Sequence, residues 1–127
     1  MANAMQFELA SPLKQVYKKP VAMVTVPGSE GSYGVLAGHA PMATGIAAGV
    51  LEVYENDQNT VTDRWFVIGG FCEVTTDRCT VMADQIIAIK DLNRDAIEAE
   101  IKSLSGDNDE AAAEKLAIAQ AKLLALG

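Results

Sequence analysis

The stretch Trp65-Phe66-Val67-Ile68-Gly69-Gly70-Phe71-Cys72-Glu73-Val74-Thr75-Thr76-Asp77-Arg78-Cys79-Thr80-Val81-Met82-Ala83 decides the fold. Apolar and polar residues alternate around Thr76-Asp77 with the period of a half-buried strand. A two-residue turn at Thr76-Asp77 pairs Val74 with Cys79 and Cys72 with Val81, so these four side chains share one face. Gly69-Gly70 signals a bulge or a sharp bend, and Val61 to Ile68 is the strand that enters it. Trp65 to Ile68 carries large apolar groups on both faces. In an antiparallel sandwich one face normally meets water. The outer face here therefore needs a cover, either the chain's own helices or another protein.

Upstream the same grammar recurs. Phe7 and Leu9 alternate with Gln6 and Glu8 in a strand from Met5 to Ala10. Ser11-Pro12 ends it, since proline cannot donate to a ladder. A short strand around Val16 and Tyr17 follows, then a β-branched run from Val21 to Val26 stopped by Pro27-Gly28. Gly28 to Gly38, with its four glycines, reads as a loop. Ala43 to Ile46 is a brief strand, Val50 to Glu55 a longer one, Glu55 to Thr60 a polar turn, and Gln85 to Ile89 a last short strand. Short strands with frequent turn signals specify a mainly β fold, an antiparallel sandwich or barrel.

Downstream the composition turns to Ala, Leu, Glu and Lys. Asp91 is the expected N-cap of a first helix running to about Leu104, with Ile97, Ile101 and Leu104 on one stripe. Ser105-Gly106-Asp107-Asn108 reads as a turn. Asp109 then caps a second helix with Ala112, Leu116, Ala119, Leu123 and Leu126 on its apolar stripe. Small alanines let two such helices approach closely in an αα-hairpin. The expected organisation is a β-sandwich domain over residues 1–89 and a C-terminal helical hairpin over residues 90–127. Each helix is close to the length at which isolated helices are marginal in water, so the hairpin has to dock.

Composition narrows the function classes. The 127 residues are 50% hydrophobic and carry a formal net charge of −7, too apolar for disorder and too acidic for a nucleic-acid binder. An acidic surface is also repelled by anionic lipid, so a membrane is reached only through a protein partner. No apolar run approaches the roughly 20 residues that span a bilayer. Met1 to Ala4 reads as leader or unordered tail, and neither a signal peptide nor a transit peptide is expected. Cys72 and Cys79 sit diagonally across their hairpin, about 7–8 Å apart and poorly placed for a disulfide. They read as reduced core residues in a reducing, cytoplasmic compartment. With one histidine and no ligand cluster, no metal site is expected.

His39, in Ala37-Gly38-His39-Ala40-Pro41, lacks a patterned nucleophile and acid and reads as a loop histidine bonded to backbone. Pro27-Gly28-Ser29-Glu30-Gly31-Ser32-Tyr33-Gly34 lacks the Lys-Ser/Thr ending of a phosphate-binding loop. Its glycines suit tight turns, and a loop on a rigid scaffold suits partner contact. No carboxylate pair invites acid–base chemistry, and neither an enzyme nor a cofactor is expected.

From Pro27-Gly28-Ser29-Glu30-Gly31 through Tyr33-Gly34-Val35-Leu36 to Gly38-His39-Ala40-Pro41, the chain resembles the epsilon subunit of F-type ATP synthases. Gly49-Val50-Leu51, Gly69-Gly70-Phe71, Glu73-Val74 and Thr80-Val81-Met82-Ala83-Asp84 extend the likeness. The resemblance implies a sandwich of about ten short strands followed by two helices. It implies a non-catalytic rotor subunit of the central stalk, bound to the gamma subunit and the membrane c-ring and turning beneath the catalytic alpha/beta head. The implied location is the cytoplasmic side of a bacterial inner membrane, reached indirectly through the c-ring. By the same resemblance Ser29, Glu30, Gly31 and Ser32 face the c-ring, and His39, Ala40, Pro41 and Met42 face gamma.

Some relatives bind ATP on the hairpin through an Ile/Leu-Asp-x-x-Arg-Ala motif and arginines of the second helix. Here Asp91 and Arg94 keep the spacing, but Lys90 and Asp95 replace the flanking residues and the second helix has no arginine. Five basic and eight acidic residues follow from Ile89 onward, a poor balance for insertion into an acidic surface. ATP binding and self-inhibition by this tail are expected to be weak or absent. The competing readings are a free-standing β-sandwich module that binds a small ligand, and a hydrolase working through His39.

Overall fold

The computed structural model describes residues 4–106 and 109–126. The leader expected at the N-terminus therefore lies largely outside the described residues, as do Asp107 and Asn108 of the interhelical turn. Eight strands form one continuous sheet in the order β2-β1-β8-β7-β6-β3-β4, with β5 on β7. They are β1 (Met5–Ser11), β2 (Lys14–Val21), β3 (Met23–Gly28), β4 (Gly31–Leu36), β5 (Met42–Gly45), β6 (Gly49–Tyr54), β7 (Asp63–Val74) and β8 (Arg78–Ala88). A turn of 3-10 helix, Ile89–Asp91, leads to α1 (Arg94–Leu104) and α2 (Glu110–Ala125).

The sheet becomes a sandwich at Gly69-Gly70. The first half of β7 pairs with β6, the second half with β5, while β1 joins β8 only between Arg78 and Met82. One layer thus holds β2, β1, the first half of β8, the second half of β7 and β5. The other holds the remaining halves of β7 and β8 with β6, β3 and β4. The β7–β8 register runs unshifted from Trp65 opposite Ala88 to Val74 opposite Cys79, so the glycines make a bend and not a bulge. Both have positive φ, 69° at Gly69 and 100° at Gly70. A β-carbon at Gly70 would overlap the Met82 carbonyl oxygen. The expected ten or so strands are therefore eight. Val61–Ile68 runs on into Phe71–Val74, and Gln85–Ile89 is mostly the continuation of β8. The Val74–Cys79 and Cys72–Val81 pairs match the register read from the turn.

Other departures have local causes. The run Val21 to Val26 is split between β2 and β3 by a bend at Ala22. The strand near Tyr17 spans all of Lys14–Val21 and tolerates Pro20 because it is an edge strand. Gly28 to Gly38 is not a loop: Ser29 and Glu30 make the turn of the β3–β4 hairpin, and the rest is mostly β4. The β1–β8 pair is parallel, an exception in a sandwich expected to be antiparallel.

Side chains from both layers meet in one core that includes Phe7, Leu9, Val24, Leu51, Val67, Cys72 and Val81. Phe66 is also fully buried but lies outside that core, on the opposite face from Val67. There α2 packs on β6 and β7 and buries Ala112 and Ala119. The chain's own second helix thus covers part of the outer face of Trp65 to Ile68, where Phe66 is buried and Ile68 half-buried. The N-cap of α1 is Asn93, whose side chain accepts from the Ala96 amide at 2.9 Å. Asp91, expected there, instead ends the 3-10 turn. Asp109 caps α2 as expected, accepting from the Ala111 amide at 3.1 Å.

Candidate functional site

The two segments singled out in the sequence, Ser29 to Ser32 and His39 to Met42, converge at one end of the sandwich. The tip of the β3–β4 hairpin is stitched to β5 and the residues after it. The Ser29 amide donates to the Gly45 carbonyl at 3.0 Å, the Ala47 amide to the Pro27 carbonyl at 2.9 Å, and the Ile46 amide to the Gly70 carbonyl at 3.1 Å. The turn before β5 is held from below, where the Gly38 amide donates to the Thr76 carbonyl at 2.6 Å. Gly38 has φ of 89° and Gly31 of 127°, backbone that favours glycine.

Between these segments lies an open cleft of about 560 Å³, lined by the Gly28–Tyr33 turn, His39 and Met42–Gly45. Ser29, Glu30, Gly31 and Ser32 are exposed on its rim. His39 and Met42 are half-buried, whereas Ala40 and Pro41 point to solvent beside it. The His39 Nδ1 donates to the Ala40 carbonyl at 2.7 Å, the backbone-bonded arrangement expected of it. Among the described residues no carboxylate, hydroxyl or thiol is hydrogen-bonded to this imidazole, so the relay a nucleophilic hydrolase needs is not assembled.

Sequence reasoning missed Tyr33 and Thr44. Their hydroxyls share a short hydrogen bond of 2.5 Å across the cleft. Burial is the main cause that pushes the Tyr33 phenol up to about 12 from its ordinary 10, with the Thr44 bond opposing. The signal was present, since Tyr33 and Val35 alternate with Ser32 and Gly34, but the glycines masked it. Beneath them, Thr44 is the register partner of Cys72, and the Cys72 and Cys79 sulfurs are 3.7 Å apart in full burial. Cys72 is pulled below the ordinary thiol range, first because the Cys79 S–H bonds to its thiolate, with burial opposing. The same bond, with burial, pushes Cys79 up.

Asp91 and Arg94 are not ion-paired with each other among the described residues. Both are exposed, and the ion pairs among the described residues are Lys19–Glu55 at 3.2 Å and Arg64–Glu52 at 3.3 Å. Arg94 instead lines an open surface depression with Gln120, Leu123 and Leu124. Among the described residues there is no cluster of three metal-ligating side chains, and no helix is long and apolar enough to cross a membrane.

Known proteins give the chain a context. The family model for the ATP synthase delta/epsilon chain, β-sandwich domain, matches residues 4–89. The ATP synthase epsilon chain of Rhodospirillum centenum is 42% identical, over 97% of this chain and 92% of the relative. That of Rhodospirillum rubrum is 41% identical over 98% and 93%. Among solved structures, a chain of the Euglena gracilis mitochondrial ATP synthase (OSCP/F1/c-ring) aligns with a TM-score of 0.83 at 23% identity, over 98% of this chain and 79% of that one. A chain of the Tetrahymena thermophila mitochondrial ATP synthase (central stalk/c-ring) gives 0.69 at 13% identity, over 97% and 96%. At such identities the two structures speak for the fold alone.

Proposed function

The chain belongs to the ATP synthase delta/epsilon family, and on that premise we propose that it serves as a rotor subunit joining the gamma shaft to the c-ring. Epsilon chains are non-catalytic subunits of the membrane-associated synthase, so the chain is not itself an enzyme. The observation that carries the reading is the end-to-end match to bacterial epsilon chains, which spans sandwich and hairpin alike.

In this reading residues 1–89 are the joint and residues 90–127 a docked appendage. The rim residues Ser29, Glu30, Gly31 and Ser32 meet the c-ring, and His39, Ala40, Pro41 and Met42 meet gamma. One rigid end of the sandwich presents both segments side by side, so one body touches shaft and ring together. The catalytic alpha/beta head is a partner through the shaft. The sandwich lies on the cytoplasmic side of a bacterial inner membrane. The backbone bonds from Ser29 to Gly45 and from Gly38 to Thr76 hold the two contact segments in fixed relation. That fixity suits transmission of torque, since a loose joint would absorb it.

The test is binding of the purified chain to the gamma subunit of its own synthase. A Kd below about 1 μM, equivalent to about −8.2 kcal/mol, is expected, with release on introducing a charged or bulky side chain at His39 to Met42. Absence of binding at tens of micromolar would overturn the rotor assignment. The hairpin is proposed to inhibit weakly and to bind ATP weakly or not at all. Its removal should therefore leave ATP hydrolysis by the assembled enzyme nearly unchanged, and millimolar ATP should leave the melting temperature where it was.

A further inference from the structure

Under the floor of the cleft lies a feature that the rotor reading does not use. Cys72 and Cys79 come from adjacent strands, face the core, and hold their sulfurs 3.7 Å apart. Both are free thiols. Directly opposite Cys72 on the neighbouring strand is Thr44, which lines the cleft, and the Tyr33–Thr44 hydrogen bond closes over it. The half-buried Tyr33 and Thr44 thus lie beside the fully buried Cys72 on the side of the cleft.

We propose that Cys72 and Cys79 form a peroxide-sensitive dithiol that closes into an intrachain disulfide. The oxidant is hydrogen peroxide, small and neutral enough to pass Tyr33 and Thr44 when their bond opens. The Cys72 thiolate attacks one peroxide oxygen. A sulfur–oxygen bond forms, the oxygen–oxygen bond breaks, and the leaving hydroxide takes the thiol proton as water. Cys72 is then a sulfenic acid. The Cys79 sulfur attacks it, the sulfur–sulfur bond forms, and a second water leaves with the Cys79 proton. Two thiols are oxidised and one peroxide is reduced to two waters.

The order of attack follows from the site. Cys72 is the register partner of the cleft-lining Thr44, and its sulfur is 3.7 Å from that of Cys79, so Cys72 is the thiol that an oxidant from the cleft meets first. Diagonal neighbours sit about 7–8 Å apart, wider than the usual disulfide spacing. The bond closes only by straining β7 and β8 along each other against their shared ladder, and that strain makes it easy to reduce again. A dithiol of this kind answers to peroxide and is reset by ordinary thiol reductants.

Peptide mapping of the full chain tests this. The reduced protein is treated with hydrogen peroxide, remaining thiols are alkylated after unfolding, and trypsin is added. Cleavage after Arg64, Arg78 and Lys90 places the two cysteines on separate peptides, Trp65–Arg78 and Cys79–Lys90. The expected result is a linked pair lighter by two hydrogens, separated by dithiothreitol, with both alkylatable thiols lost together. Thr44→Val, which removes the hydroxyl that holds Tyr33, should speed the loss. Cys79→Ser should leave a Cys72 sulfenic acid that dimedone traps on the wild-type timescale. Links only between chains would overturn the proposal. So would oxygen addition at one cysteine without linkage, or intact thiols under peroxide that has already oxidised the half-buried Met23, Met42 and Met82.

Discussion

In the sandwich, side chains as large as Phe7, Leu9 and Leu51 are sealed from water; among the described residues of the helical hairpin the buried ones are Ile97 and three alanines, Ala112, Ala119 and Ala125. Apolar burial stabilises by roughly 25 cal/mol per Å², so the two regions stand on very different support. The sandwich draws on two layers and a backbone ladder that crosses between them. The hairpin rests mainly on its own helix–helix contact and on the narrow strip where α2 covers Phe66. The lesson is that one chain can hold a rigid body and a lightly held one through composition alone, with large β-branched and aromatic residues in one and alanine in the other.

The strongest way to break this contrast is at the bend. Gly70→Ala forces a β-carbon onto the Met82 carbonyl at a φ of 100°. It should destabilise the sandwich by about 4 kcal/mol or more, read as a loss of cooperative urea unfolding. A weak effect would mean that the bend is not fixed by sterics. Phe66→Ala tests the strip between the regions. In the full chain it should lower stability by about 3 kcal/mol. In a chain cut after Ile89, where Phe66 faces water, the same change should stay within about 0.5 kcal/mol. Equal losses in both chains would show that Phe66 belongs to the sandwich and not to the hairpin contact.

Alkaline titration separates the regions by composition, because both perturbed tyrosines lie in the sandwich. Tyr17 is pushed up to about 12, first by burial and then by the Glu55 and Asp63 carboxylates, and Tyr33 likewise to about 12. The folded state holds these protons more tightly than the unfolded chain, whose tyrosines titrate near 10. Their contribution is therefore complete below about pH 10 and is lost as pH rises through about 12. The melting temperature of the sandwich should fall across that window. The double variant Tyr17→Phe, Tyr33→Phe should flatten the fall, and a fall unchanged in that variant would reject the assignment. The smallest expected effect is at a cap. Asn93→Ala removes the acceptor for the Ala96 amide and should cost about 1 kcal/mol. Amide exchange should quicken in α1 while the strands stay protected.

What the sequence disclosed followed the range of the forces involved. The Cys72–Val81 and Val74–Cys79 pairs were legible because a two-residue turn and strict alternation lie within one short segment. The cap at Asp109 was legible for the same reason. Asp91 was misplaced as a cap because Asp and Asn both satisfy the first-turn donors, and only the backbone path chooses between positions two residues apart. The β3–β4 hairpin was hidden by glycines that lower strand propensity, yet pairing with β3 overrides them. Nothing local announces the parallel β1–β8 pair, whose residues are some seventy positions apart. The cleft was half-visible: its two rims were named, but their meeting depends on β5 joining β7, as does the placement of Thr44 over Cys72.

The unshifted register of β7 and β8 through the glycine bend has a mechanical consequence. Each of these strands is a beam common to both layers, so a pull along one is resisted in shear by the whole ladder from Trp65–Ala88 to Val74–Cys79 at once. Hydrogen bonds loaded side by side yield together, whereas bonds opened from one end yield in turn like a zipper. Twisting one layer against the other therefore strains a continuous backbone and does not merely slide greasy surfaces past each other.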